Sequence, residues 1–271
     1  MQILFGFILA LIIAVLAYRL RSLDRSGALS ATLVGTVIFG LGGLPWAILL
    51  LTFFVSSSAL TRAFRQRKQG LDEKYSKGGR RDAGQVLGNG GLATIFAALH
   101  FFYPQAVWPW LGFAAALAAV NADTWGTELG IFNPSAPRLI THLGQSVEKG
   151  TSGAISLVGT LASLSGSGLI GLLAAALSPL SIESSNLHFL PIFLLVTFSG
   201  ILGSLFDSFL GATVQAIYYC PACKKETERH PVHTCGTPTM LMRGWSWLDN
   251  DWVNFGCSAF GVGTILIFLL V

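Results

Sequence analysis

The sequence predicts an all-α, polytopic integral membrane protein. It has about eight transmembrane helices, the second and third short, and one small cytoplasmic Cys/His insert. Three observations predict this. The 271-residue chain is 52% hydrophobic and only 11% charged, against roughly 25% charged residues in ordinary soluble domains. Its apolar residues gather into eight runs, at 3–18, 28–41, 44–60, 83–102, 106–124, 153–177, 189–212 and 252–271. All 17 Lys and Arg residues then fall on one side of the alternating connections.

The runs justify themselves in order. The first lacks a basic stretch before it and a small-residue cleavage site, so it reads as a retained helix and not a leader. The second is shorter than the ~20 residues of a full span, and Gly40-Leu-Gly-Gly-Leu-Pro45 predicts a tight turn before the third. A single long helix through this region is the competing reading. Loops 19–27, 61–82, 125–152 and 213–251 hold every basic residue, and those around 41–45, 103–106 and 178–188 hold none. Positive-inside reasoning puts the basic side in the cytoplasm and both termini opposite. The whole chain, 1–271, is one membrane domain, with residues 216–247 as the insert. The 31 glycines suit close helix packing in lipid.

The chain is organised around Asn121-Ala-Asp-Thr-Trp-Gly-Thr-Glu-Leu-Gly130. Carboxylates at the end of an apolar run are costly and normally face a polar cavity. On a helix, Asn121, Thr124 and Glu128 share a stripe with Asp123 and Thr127 beside it, a wall of oxygens suited to Mg2+. The seventh run adds Asp207 within a stripe of Gly200, Gly203, Ser204, Ser208, Gly211 and Gln215. Packing explains the small residues, but packing alone needs no carboxylate. At the last helix, Asp249 reads as an N-cap, while Asn250, Asp251 and Asn254 line one face.

Two further stretches suit phosphate. Gly78-Gly-Arg-Arg-Asp82 leads into Gln85 and Asn89, placing Arg80 and Arg81 at a helix N-terminus. Capping by Asp82 is the competing explanation. Lys149-Gly-Thr-Ser-Gly153 places a cation and a tight turn before another helix, with capping by Thr151 or Ser152 as the alternative. In the insert, Cys220-x2-Cys223 and the later His233-x-Cys235 make a four-ligand set for structural Zn2+, with His233 preferred to His230. Cys257 lies in the last helix and reads as core.

Acids and bases gathered at one depth suggest an Mg2+–polyphosphate site for phosphoryl transfer. The motifs Ala122-Asp-Thr-Trp-Gly-Thr-Glu-Leu-Gly130, Gly203-Ser-Leu-Phe-Asp-Ser-Phe-Leu-Gly-Ala-Thr213 and Asn250-Asp-Trp-Val-Asn254 resemble the membrane family catalogued as domain of unknown function 92. That family includes the plastid phytyl-phosphate kinase of vitamin E synthesis. The likeness runs from about Ser26 to the C-terminus, and the Cys/His insert looks like that of bacterial or cyanobacterial members. The resemblance implies conversion of phytyl phosphate, or a similar isoprenoid monophosphate, to the diphosphate by a nucleoside triphosphate, CTP or ATP. By motif and chemistry together, Asp123, Glu128, Asp207 and Asp251 are expected to hold Mg2+, or one of them to act as base. Arg80, Arg81 and Lys149 are expected to hold phosphates, with Gln85, Asn89, Thr151, Ser208, Asn250 and Asn254 orienting them.

The expected partners are the bilayer, the isoprenoid phosphate and the nucleotide, with no nucleic acid; a homo-oligomer is left open. Two rivals stand beside this reading. An ion-coupled transporter needs polar groups toward the outer face, where Glu183 is the sole acid. A CTP-dependent lipid nucleotidyltransferase shares the metal site and releases pyrophosphate.

Overall fold

The computed structural model describes residues 1–64, 79–178 and 188–270. Arg65, Arg67, Lys68, Lys74, Lys77 and Glu183 lie outside them. Among the described residues there are eight α-helices: α1 (Gln2–Arg19), α2 (Arg25–Val37), α3 (Leu44–Phe64), α4 (Ala83–Phe102), α5 (Trp108–Gly130), α6 (Leu157–Ala176), α7 (Phe189–Thr213) and α8 (Asn250–Leu270). Seven of these positions are long and apolar enough to cross a membrane. The second and third spans were expected to be short and are not. A π-helical turn, Ile38–Gly42, carries α2 on without a break, so 25–42 forms an 18-residue span and α3 has 21 residues. The chain turns only at Gly43, whose φ of 81° is a conformation that L side chains rarely adopt.

The remaining helix, α5, falls short of that apolarity and occupies the middle of the bundle. It packs against α3, α4, α6, α7 and α8. Every residue from Pro109 through Ala122 is buried. Its run of alanines explains how so many neighbours fit. Three of these neighbours approach through a glycine: a Cβ on Gly166 of α6 would lie 3.0 Å from Asn121 O, one on Gly203 of α7 2.6 Å from Ala119 Cβ, and one on Gly261 of α8 3.0 Å from the same Cβ. Without a hydrophobic drive between helices in lipid, such backbone contact supplies the dispersion energy that holds them. The outward faces of α1, α4, α7 and α8 expose Leu, Ile and Phe, as a lipid-facing belt requires.

The two ends of α5 differ. Near its start, Trp46 stacks on His100 with ring centroids 4.9 Å apart and meets Phe113 at 4.6 Å, while Trp110 Nε1 donates to Ala174 O at 3.2 Å. This aromatic plug closes one end of the bundle. The other end is polar, and the helix starts there are capped. Asp24 accepts from Gly27 N at 2.7 Å, Ser156 accepts from Gly159 N at 3.1 Å, and Asp82 and Gln85 form a reciprocal capping box.

Two small antiparallel sheets also lie among the described residues. Strands β1 (Arg138–Leu139), β2 (His142–Ser146) and β3 (Ala154–Ile155) pair in the order β2-β1-β3. In the insert, β4 (Ile217–Cys220), β5 (Lys225–Thr227) and β6 (Met240–Arg243) pair in the order β5-β4-β6. Strands this short carry no alternation to read from sequence.

Candidate functional site

The polar end encloses a cavity of about 450 Å3. Helices α4, α6 and α8 begin at it, and α3, α5 and α7 end at it. Helix starts bring partial positive charge, which favours phosphate. The ends of α5 and α7 bring the acids.

From α5 come Asp123, Thr124, Thr127 and Glu128, and from α7 come Ser204, Asp207 and Ser208. The Asp123 and Asp207 carboxyl groups lie side by side at the cavity, close enough to interact directly. Two carboxyl groups in such contact need a proton or a cation between them. Asp207 Oδ2 is buried without a hydrogen-bond partner among the described residues. A buried carboxylate oxygen left without a donor is expensive, and hard oxygen donors at a polar cavity fit Mg2+.

Glu128 sits one turn further along α5. Its Oε1 accepts from Thr61 Oγ1 at 2.8 Å. Arg81 lies beside it, donating to Ser57 Oγ at 2.8 Å and stacking over Phe53 at 5.4 Å. Burial pulls the Arg81 pKa down from 12.5 to about 10, with Glu128 opposing the shift. The guanidinium therefore stays charged at neutral pH, on the cavity wall.

Gln85, Asn89, Thr151, Ser208, Asn250 and Asn254 all line the cavity, as their motifs predict. Gln85 also serves the capping box with Asp82, the competing explanation of that stretch. Lys149 lines the cavity too, but its Nζ donates to Ile131 O at 2.8 Å and Asn133 O at 2.7 Å, tying down the C-terminal end of α5. The turn that follows is pressed against α7. Gly153 has φ 81°, and a Cβ there would lie 2.5 Å from Ala212 Cα.

Three expectations need correction. Arg80 is exposed and does not line the cavity; its neighbour takes the inward place because Arg81 is held by Leu23 in a parallel bridge. Asp251 is outside the lining as well. It falls on the seam between α8 and α4, where a Cβ on Gly88 would come 2.6 Å from its carbonyl oxygen. Asn121 turns away from the acids, donating to Gly166 O at 2.8 Å and accepting from Ser56 Oγ at 3.2 Å.

The cavity also contains residues that sequence reasoning missed. Thr61 closes one wall, and Glu228 and Arg229 reach in from the insert. Gln215 links the parts: its Oε1 accepts from Ser152 Oγ at 2.6 Å, and its Nε2 donates to Glu228 Oε1 at 3.0 Å. The only signal for Glu228 and Arg229 is their position between the two halves of the Cys/His set.

That set is gathered in the fold. The ligand atoms of Cys220, Cys223, His233 and Cys235 all lie within 4.8 Å of one another. His230 instead stacks on Tyr218, with ring centroids 4.5 Å apart.

Eight packed helices with a lipid-facing belt and a polar cavity at one end define an integral, multi-pass membrane protein. The chain belongs to the family described as Integral membrane protein DUF92, whose profile matches residues 8–262. It is 33% identical to Protein PGR of Arabidopsis thaliana over 94% of this chain and 91% of that protein. It is 36% identical to an uncharacterized membrane protein of Methanocaldococcus jannaschii over 76% of this chain and 82% of that one. Protein VTE6, chloroplastic, of Arabidopsis thaliana is 29% identical over 52% of this chain and 44% of its own length. No solved structure matches.

Proposed function

We propose that the chain is a membrane prenyl-phosphate kinase. It would transfer the terminal phosphoryl group of CTP or ATP to phytyl phosphate or a similar isoprenoid monophosphate. One observation carries this reading: the polar cavity adjoins an apolar groove, and the two share Arg81, Gln85 and Asn89. The groove runs between α1, α2, α3 and α4, lined by Ala10, Ala14, Ala31, Val34 and Phe53 among others. A ligand with a phosphate head and a hydrocarbon tail fits that junction. The groove seats the part of the tail next to the phosphate and leaves the rest to the bilayer. The family resemblance supplies the choice of phytyl phosphate.

In this mechanism the acceptor needs no strong base, because a phosphate monoester already carries a nucleophilic oxygen. That oxygen attacks the terminal phosphorus of the nucleotide, the bond to the bridging oxygen breaks, and a nucleoside diphosphate leaves with the electron pair. Arg81 holds the acceptor phosphate at the mouth of the groove. Gln85, Asn89, Asn250 and Asn254 orient phosphate oxygens by their amides, and the starts of α4, α6 and α8 lower the cost of gathering the negative charge. Asp123, Asp207 and Glu128 would hold Mg2+, which when bound neutralises the phosphate oxygens. By the positive-inside rule this end faces the cytoplasm.

The experiment is a phosphoryl-transfer assay on purified protein in detergent. It pairs phytyl or geranylgeranyl monophosphate with CTP or ATP, with and without Mg2+. Metal-dependent prenyl diphosphate together with a nucleoside diphosphate supports the kinase. Pyrophosphate release would replace it with a nucleotidyltransferase. No product from folded protein would overturn the reading and turn attention to transport.

A further inference from the structure

We infer that the insert is a zinc module, and that its metal pins the segment carrying Glu228 and Arg229 into the cavity wall. The zinc site stands on its own geometry; only the use made of the two wall residues rests on the kinase reading.

The distances fit a tetrahedral ion. With Zn–S bonds of about 2.3 Å and Zn–N bonds near 2.0 Å, ligand atoms lie about 3.5–3.8 Å apart. Cys220 Sγ and Cys235 Sγ are 3.6 Å apart, Cys223 Sγ and His233 Nδ1 3.5 Å, and His233 Nδ1 and Cys235 Sγ 3.3 Å. The sulfurs are too far apart for a disulfide, whose bond is about 2.05 Å. Three thiolates and one imidazole are a soft-to-borderline set that selects zinc over the hard cations suited to the acidic pair. Four protein ligands leave no open position, so the site is structural.

Apart from β4, which buries Ile217, Tyr218 and Cys220, the module buries little. Met240, Leu241 and Met242 on β6 are all exposed, and β5 buries only Thr227. So thin a core does not fix a chain segment, and small modules of this kind take their folding energy from the metal. The ligands bracket the segment that matters. Cys220 closes β4, and Cys223 lies in the turn before β5. Glu228 and Arg229 follow β5 directly, and His233 and Cys235 come next. The metal thus anchors both ends of the stretch, while Glu228 contacts Gln215 and Arg229 O accepts from Thr239 Oγ1 at 2.9 Å.

The test uses full-length protein in detergent. Metal analysis should find about one zinc per chain. Cys220→Ser and Cys235→Ser should each lower that content about tenfold or more, and Cys257→Ser should not. Cobalt exchanged into the site should show thiolate-to-cobalt charge-transfer absorption. Zinc-stripped wild-type protein should exchange backbone amide hydrogens faster through residues 217–243, Glu228 and Arg229 included, while α1–α4 stay unchanged. Zinc content unaltered in both serine variants would overturn the site. Unchanged exchange at Glu228 and Arg229 after stripping would overturn the anchoring role. Neither readout needs substrate, so failure here is separable from failure of the kinase reading.

Discussion

Asp123 and Asp207 stand 84 residues apart in the sequence, yet their carboxyl groups lie side by side at the cavity wall, close enough to interact directly. Both stand where α5 and α7 touch through small residues. The contact is therefore built into the helix packing and does not depend on a loop. If the pair holds Mg2+, then Asp123→Asn and Asp207→Asn should each lower phosphoryl transfer about 10²-fold or more with the fold retained. The check is turnover at saturating Mg2+, alongside thermal unfolding in detergent. Wild-type turnover in both variants would remove the pair from the chemistry.

The two adjacent arginines should behave differently. Arg81 contacts Ser57 and lies beside Glu128, whereas Arg80 is exposed. Arg81→Ala should cost about 10²-fold in turnover over KM for the lipid acceptor, the scale of a lost charge-assisted phosphate contact. Arg80→Ala should stay within about twofold, as surface changes away from a site do. Equal losses would mean that the direction of Arg81 is irrelevant.

The groove makes a separable prediction. Ala31 lines it without lining the polar cavity. Ala31→Phe should raise KM for a long prenyl phosphate about tenfold, an effect of one to two kcal/mol from lost apolar burial. KM for the nucleotide should not move, and neither should activity with a short, water-soluble prenyl phosphate. A nucleotide KM that rises in parallel would show a general disturbance.

Packing around α5 can be tested without substrate. A Cβ on Gly203 would lie 2.6 Å from Ala119 Cβ and 2.8 Å from Cys257 O, while one on Gly263 would meet nothing within 4 Å. Gly203→Ala should destabilise the folded protein by about 1–3 kcal/mol through overpacking. Gly263→Ala should be neutral or slightly stabilising, since alanine favours helix by up to about 1 kcal/mol. Denaturation in a detergent series would separate them, and equal stabilities would argue against the close approach of α7 to α5.

Much of this architecture was legible because lipid imposes a simple rule on composition. The run at 83–102 coincides with α4. Legibility failed where protein replaces lipid as the neighbour. The apolar run of α5 stops at 124, yet the helix continues through Gly130 because its polar turns face a cavity and other helices. The acids of α5 and α7 stood out because carboxylates in apolar runs need a reason. Arg80 and Arg81 could not be told apart, since the inward choice depends on the bridge between Arg81 and Leu23. Glu228 and Arg229 gave no sign beyond their place between the two halves of the Cys/His set, because only the folding of the insert carries them to the cavity.

The enclosure of α5 bears on how the protein is made. Among the eight described helices, with α2 counted through Gly42, it is the least apolar for its length, and it carries the two acids at its end. During synthesis its release into lipid by itself should therefore be less complete than that of α1. Its entry into the bilayer is tied to the presence of α4 and α6 around it, so a ribosome-stalled chain ending just after α5 should leave that segment outside the bilayer.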